Sequence, residues 1–319
     1  MTLAAIRTGW RQAISGRRMV FWIWLLGMAA SIPAAVVMQQ SFEGAIGSSQ
    51  VHEDLRNGLD MPWLFEYAHG AHGIEKSVTA SRLTKAGFLD NLEAWFTGKL
   101  FATDPALVGM GVLYALGWTF LLGGLLEQLI RPVPKLTLAH FFQSGGRFFG
   151  RFVRLVVLSA PLYYLIYKGS RKLFATIESA TRDVTAETSV LAFNLAGAVL
   201  IIGLLMLVNM SFTYAKISMV FEDRRSALGT ALRGIGFVLA HPVRTAGVYL
   251  GIALGSLVLL AAYWVVAPGL GGGHWITVLW AFLLAQLYLV AKLTVRVAFF
   301  AGQTDLYRQT VHPAPEPEA

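Results

Sequence analysis

The chain of 319 residues has no cysteine. That removes disulfides, thiolate metal sites, iron–sulfur clusters and cysteine nucleophiles in one step. Charge is scarce too. Asp, Glu, Lys and Arg make up 14% of the chain, against about 25% in an ordinary soluble domain. There is no nucleophile elbow, phosphate loop or paired metal motif. No ATPase signature occurs either, so any pumping would need a separate motor subunit. What is abundant is apolar: 55% of residues are hydrophobic and the mean hydropathy is +0.58. Several apolar runs approach or exceed the ~20 residues that cross a ~30 Å hydrocarbon core.

Those runs predict an all-α, polytopic membrane helical bundle with six spans, at about 19–39, 106–130, 152–167, 189–214, 245–268 and 275–300. Residues 1–308 form one membrane domain, with an extracytoplasmic insertion at 40–104 and a disordered, Pro/Glu-rich tail at 309–319. The first apolar run exceeds the ~7–15 residues of a signal-peptide core, so it reads as a retained anchor. The third is the weakest, with Arg151 and Arg154 at its start and Pro161 in its middle. Within the insertion, 86–101 spaces Leu89, Leu92, Trp95, Phe96 and Leu100 as an amphipathic helix does.

Charge placement gives the orientation. With six spans and the N-terminus inside, the inner segments hold 17 basic and 6 acidic residues; the outer ones hold 9 and 12. If the third run failed to cross, the basic residues would divide 13 to 13. Six spans therefore restore the positive-inside bias and put both termini in the cytoplasm. The net charge of +8 is a topology signal in this light, and nucleic acid is not an expected partner. The expected partner is the phospholipid bilayer. A second copy or a membrane-complex subunit stays open.

Three stretches share one layout: 3–18, 136–154 and 226–244 each put a short amphipathic segment and basic residues ahead of a span. Gly9, Ser144 and Gly234 fall at corresponding places, as do Ile14, Phe149 and Leu239. The repeat reads as three helical hairpins, each introduced by a basic interfacial helix on the cytoplasmic side. Arg17, Arg18, Arg147, Arg151, Arg154, Arg233 and Arg244 would then meet lipid headgroups.

The run from Tyr214 through Glu222-Asp223-Arg224-Arg225 and Ala231-Leu232-Arg233 to His241-Pro242 resembles a segment of uncharacterised bacterial six-helix membrane proteins. More distantly, it is similar to the membrane domain attached to some glycerophosphodiester phosphodiesterases. The likeness implies a six-helix layout in a bacterial inner membrane and supplies no active site.

The most pointed polar cluster is Glu66, His69, His72 and Glu75, four potential ligands at every third residue. Imidazole and carboxylate suit zinc, but steps of three on a helix spread side chains around half its cylinder. Gly70 and Gly73 would have to break the helix for them to converge, and no cofactor is expected. Gly247, Gly251 and Gly255 form a doubled GxxxG, a groove for close helix approach. Lys292 and Arg296 read as snorkelling cations near an inner helix end. Glu127 and Arg131 read as an i,i+4 ion pair. Asn194, Asn209 and Gln286 read as interhelical hydrogen-bonding groups.

These features favour a non-enzymatic protein, transporter-like or a membrane assembly or scaffold component. The alternatives are a membrane-embedded enzyme acting on lipid or an outer-face substrate, and a permease subunit working with a separate ATPase.

Overall fold

The structure is a computed structural model. It describes residues 1–47, 61–78, 105–134, 136–182, 186–267 and 275–311, and every regular element among them is helical. In chain order these are α1 (Thr2–Ser15), α2 (Arg17–Gly47), α3 (Met61–Gly70), a 3-10 turn (Gly73–Ser77), α4 (Pro105–Ile130) and α5 (Leu138–Thr181). Then come α6 (Glu187–Phe221), α7 (Ala227–Ala240), α8 (Pro242–Val266) and α9 (Trp275–Val311). Six of them, α2, α4, α5, α6, α8 and α9, are long and apolar enough to cross a membrane. The protein is an all-α polytopic bundle. The amphipathic segment expected at 86–101 and residues 312–319 of the tail lie outside the described residues.

Local sequence explains where helices start. Thr137 caps α5 by accepting the His140 N–H at 3.3 Å, and Ser226 caps α7 by accepting that of Gly229 at 3.2 Å. Each satisfies an otherwise orphaned backbone donor. Pro242 opens α8, where its fixed φ fits and its missing N–H costs nothing. The break between α7 and α8 follows, because the residue before a proline is pushed out of the helical region. His241 there has φ −131° and ψ 50°.

The second of the three repeated segments behaves differently. Nothing between 138 and 154 interrupts the backbone, so the expected separate helix and the third span are one helix of 44 residues. The weakest span is thus carried within the longest helix. The last helix also runs on to Val311, three residues past the expected start of the tail.

Two Arg contacts show which ends meet. Arg131, just past α4, donates to the Phe221 carbonyl at the end of α6 (3.4 Å). Arg308 on α9 donates to the Leu129 and Ile130 carbonyls at the end of α4 (3.4 and 3.2 Å). The C-terminal ends of α4, α6 and α9 therefore gather at one end of the bundle, capping one another's free carbonyls. The core is there too. Burial falls on Leu122, Leu125 and Leu126 of α4, on Met210 to Val220 of α6 and on Val295 to Tyr307 of α9.

The three lead segments complete this headpiece, each packed on the end of one of those helices. α1 lies on α9, the start of α5 on α4, and α7 on α6. Close approach is possible because small residues sit at the crossings. A Cβ built on Gly9 would stand 2.7 Å from the Ala298 carbonyl oxygen, and one on Gly123 3.3 Å from that of Ser144. One on Gly234 would overlap the Ser211 carbonyl oxygen. The matching positions of the sequence repeat are thus three helix crossings.

Away from the headpiece the helices are bare. In the most apolar 18-residue stretch of α9 no residue is buried, and in that of α6 the share is 11%. α9 is about 55 Å long at 1.5 Å per residue, well beyond the ~30 Å a crossing needs. The excess is the headpiece. At the far end a small cluster of Trp63, Leu64 and Val78 packs on Met38 and Phe42 near the end of α2.

Candidate functional site

The headpiece carries a belt of charge built on the end of α6. There the chain turns at Asp223, whose φ of 50° is tolerated by Asp better than by most residues. The turn presents two carboxylates in succession. Asp223 accepts from Arg147 and Arg151 of α5, both at 2.7 Å. Glu222 accepts from Arg233 of α7 at 2.8 Å, from the Tyr307 hydroxyl of α9 at 3.0 Å, and from Arg224. One dipeptide thereby ties together the first half of α5, α7 and α9. Glu127 pairs with Arg131 at 3.2 Å, as its spacing predicts, and also stands 4.0 Å from Arg147.

Electrostatics follow from these contacts. Arg151 and Arg147 hold the Asp223 carboxyl below its ordinary range, although burial opposes them. Burial is the largest influence on Glu222 and would raise it, yet donors from Arg224 and Tyr307 and the Arg233 charge together bring it down. Both groups have folded-state values below their unfolded ones. Their contribution is therefore fully present above the unfolded carboxylate values, near pH 4, and is lost as pH falls through the folded ones. The melting temperature in detergent is expected to be level from pH 8 to 5 and to drop steeply below about 4. Asp223→Asn keeps the turn and should flatten that drop. A melting temperature that instead rises as pH falls below 5 would contradict the assignment.

The seven arginines expected at headgroups divide into two groups. Arg147, Arg151 and Arg233 are engaged by carboxylates in the belt. Arg17, Arg18, Arg154 and Arg244 are exposed and make no ion pair among the described residues. Sequence alone could not separate the two sets, because the partner of Arg147 and Arg151 lies more than 70 residues away.

The doubled GxxxG faces α1. Thr2, Ile6 and Trp10, spaced four apart, meet Gly247, Gly251 and Gly255, whose Cβ positions would stand 2.9, 2.5 and 2.6 Å from those side chains. Asn209 donates to the Tyr249 hydroxyl at 3.2 Å, and Gln286 accepts from the Trp24 indole at 3.0 Å, so both bridge helices. Among the described residues Asn194 bonds only to Val190 of its own helix. Lys292 is exposed, whereas Arg296 is half-buried and engaged with α4.

The Glu66–Glu75 cluster is not gathered. Glu66, His69 and His72 are exposed, and the His69 Nδ1 lies 3.1 Å from the Phe65 carbonyl of its own turn. The Glu75 carboxylate accepts from the His72 backbone N–H at 3.2 Å. The Ser41 hydroxyl, then this backbone bond, hold Glu75 below its ordinary range. Ser41 also meets the Tyr67 hydroxyl at 2.6 Å. These bonds fasten the turn to α2. Among the described residues no three His, Asp or Glu side chains stand where one ion could join them.

No family model, curated protein or solved structure matches the chain. The resemblance seen around Tyr214 to Pro242 therefore assigns no activity, and the functional reading rests on geometry. Two residues of that geometry went unmarked in the sequence: Tyr307, which joins the charge belt, and Trp118, which carries Arg296. An aromatic residue in an apolar helix gives no sign of its polar partner.

Proposed function

We propose that this is a non-enzymatic membrane protein of the transporter-like or scaffold kind, whose six spans stand in lipid around and between them. A compact basic headpiece holds them on the cytoplasmic side of a bacterial inner membrane. The observation that carries this reading is the confinement of burial to one end of the bundle. Stretches such as Trp275 to Leu289 keep large apolar side chains exposed along their length. Such surface is stable only against lipid or another apolar partner.

Three further features support the placement. The positive-inside count supports a cytoplasmic headpiece. Arg17, Arg18, Arg154 and Arg244 are exposed and available to anionic headgroups. The outer face of α7 shows Leu228, Leu232 and Leu239, each more than 60% exposed, as a helix immersed at the membrane boundary would. Beside it, an apolar groove of about 440 Å³ opens between α6, α7 and α8, lined by Leu204, Leu207, Val238 and Ala246 among others.

The cysteine-free chain makes a direct test clean. Single cysteines placed at the exposed positions 276, 278, 279, 280, 282, 283, 287 and 289 of α9, spin-labelled in liposomes, should all report contact with oxygen and none with a water-soluble relaxation agent. Protection of these exposed positions from oxygen, or contact with the water-soluble agent, would show a protein partner or water along α9 and would overturn the reading.

A further inference from the structure

Arg296 of α9 carries its charge well away from the inner helix ends. The Arg308 guanidinium meets α4 at Leu129 and Ile130, whereas that of Arg296 meets it at Tyr114 and Trp118. Trp118 and Leu129 are 11 residues apart, about 17 Å at 1.5 Å per residue. Two contacts hold Arg296 there. Its Nη1 donates to the Tyr114 hydroxyl at 2.9 Å, and its guanidinium carbon stands 3.4 Å from the centre of the Trp118 ring. A snorkelling cation would reach the other way, toward the inner end. Stacking on an indole favours a guanidinium and leaves most of its donors unspent.

Lys292 precedes Arg296 by four residues on the same helix, so the two side chains leave one face with Cβ atoms about 5–6 Å apart. Lys292 is exposed and Arg296 half-buried. Neither meets a carboxylate among the described residues, whose acids pair with Arg131, Arg147, Arg151, Arg224 and Arg233. Like charges at this spacing disfavour each other, and an anion shared between them removes that cost.

Depth says which anion. α1 and α2 run antiparallel along α9: Ala5 meets Gly302, Gly9 meets Ala298, and Trp24 bonds to Gln286. Arg17 and Arg18, both exposed, fall about halfway between the last two pairs and so stand level with Lys292. Val295 begins the buried stretch of α9, and Leu289 ends the exposed apolar one. Four cations thus stand where bare helix meets headpiece. Under the placement argued above, this is the level of the inner-leaflet phosphates, and an ionised group there is costly without a counter-charge. Outward from it, Leu289 and Phe282 continue the face of Arg296 at steps of seven, and Met110 continues that of Tyr114 one turn on. All three are exposed.

We propose that Lys292 and Arg296, with Tyr114 and Trp118 bracing Arg296, hold the phosphate of an anionic glycerophospholipid whose acyl chains run outward along the bare parts of α4 and α9. The site rests on the lipid-embedded reading of the spans.

Native mass spectrometry of the full chain, delipidated and then titrated with phosphatidylglycerol, diacylglycerol or inorganic phosphate, tests this. One phosphatidylglycerol is expected to bind with an affinity that Lys292→Gln/Arg296→Gln lowers at least about tenfold, the worth of one charge-assisted bond. Lys292→Gln alone removes an exposed side chain and leaves the Arg296 contacts to α4 intact. It should weaken binding severalfold, while Lys292→Arg should retain it. Lys172→Gln, which removes a charge near the far end of α5, should change nothing. Unchanged affinity in Lys292→Gln and in the double variant would overturn the proposal, and an equal loss in Lys172→Gln would reduce it to unspecific charge attraction. Equal binding of diacylglycerol would also sink it, since the phosphate would then play no part. Inorganic phosphate binding undisturbed by phosphatidylglycerol would put a free-anion site in its place. The cysteine scan of α9 reads positions outward of this pair, so either result can fail without the other.

Discussion

Replacing Gly234 with alanine is expected to destabilise the protein by about 3 kcal/mol, at the upper end of the range for overpacking. The same replacement at Gly236, on the same helix, should be neutral or stabilising by up to about 1 kcal/mol. The contrast isolates packing from propensity. A methyl group on Gly234 would stand 2.7 Å from the Ala215 nitrogen and closer still to the Ser211 carbonyl oxygen, so backbone must move to admit it. Around Gly236 there is nothing within 4 Å. Thermal unfolding in detergent, followed by intrinsic fluorescence, measures both. The repeat extends the expectation to Gly9→Ala, where the obstacle is the Ala298 carbonyl at 2.7 Å, and the same crowding applies to Gly145→Ala, beside Ser144, where it is that of Phe120 at 2.9 Å. Equal melting temperatures for the Gly234 and Gly236 variants would mean that these crossings do not hold the headpiece together.

Those crossings also show how far the sequence could be read. Apolar run length located all six helices that are long and apolar enough to cross a membrane, because that capacity is a property of consecutive residues. It underestimated the helices, since hydropathy detects what suits lipid and is blind to the charged turns that continue α5 to Thr181 and α6 to Phe221. The repeat was legible because Gly9, Ser144 and Gly234 recur at matched positions. The continuity of α5 was not. Gly16 ends α1 and Pro242 starts α8, but between 138 and 154 only glycines interrupt the pattern, and a lone glycine weakens a helix without stopping it. The site was the least legible part. Arg147 looked like a headgroup ligand and is bound to Asp223, while Arg296 looked like a snorkelling cation and is stacked on Trp118. Both partners lie far away in sequence, and no local spacing reports them.

Introducing valine at Gly251 should cost about 2–3 kcal/mol, and Ile6→Ala should return at least half of it. The three glycines of α8 form a trough in which α1 lies, with Thr2, Ile6 and Trp10 each seated over one of them. Ile6 Cδ1 would come within 2.5 Å of a Cβ at 251, so the larger residue displaces α1 from the trough. Shortening Ile6 restores the space, since the pair then roughly conserves volume across the contact. α1 also lies on α9, where Gly302 faces Ala5 and the Ile252 side chain, so its displacement loosens the join between the two ends of the chain. A double-mutant cycle on unfolding free energy measures the coupling, expected to be at least about 1 kcal/mol for residues in contact. If the trough instead served a second copy of the chain, Ile6→Ala would give no rescue. Gly251→Val would then change the oligomeric state in detergent while leaving monomer stability alone. The sign and size of the coupling therefore decide whether this glycine face closes the headpiece or joins two proteins.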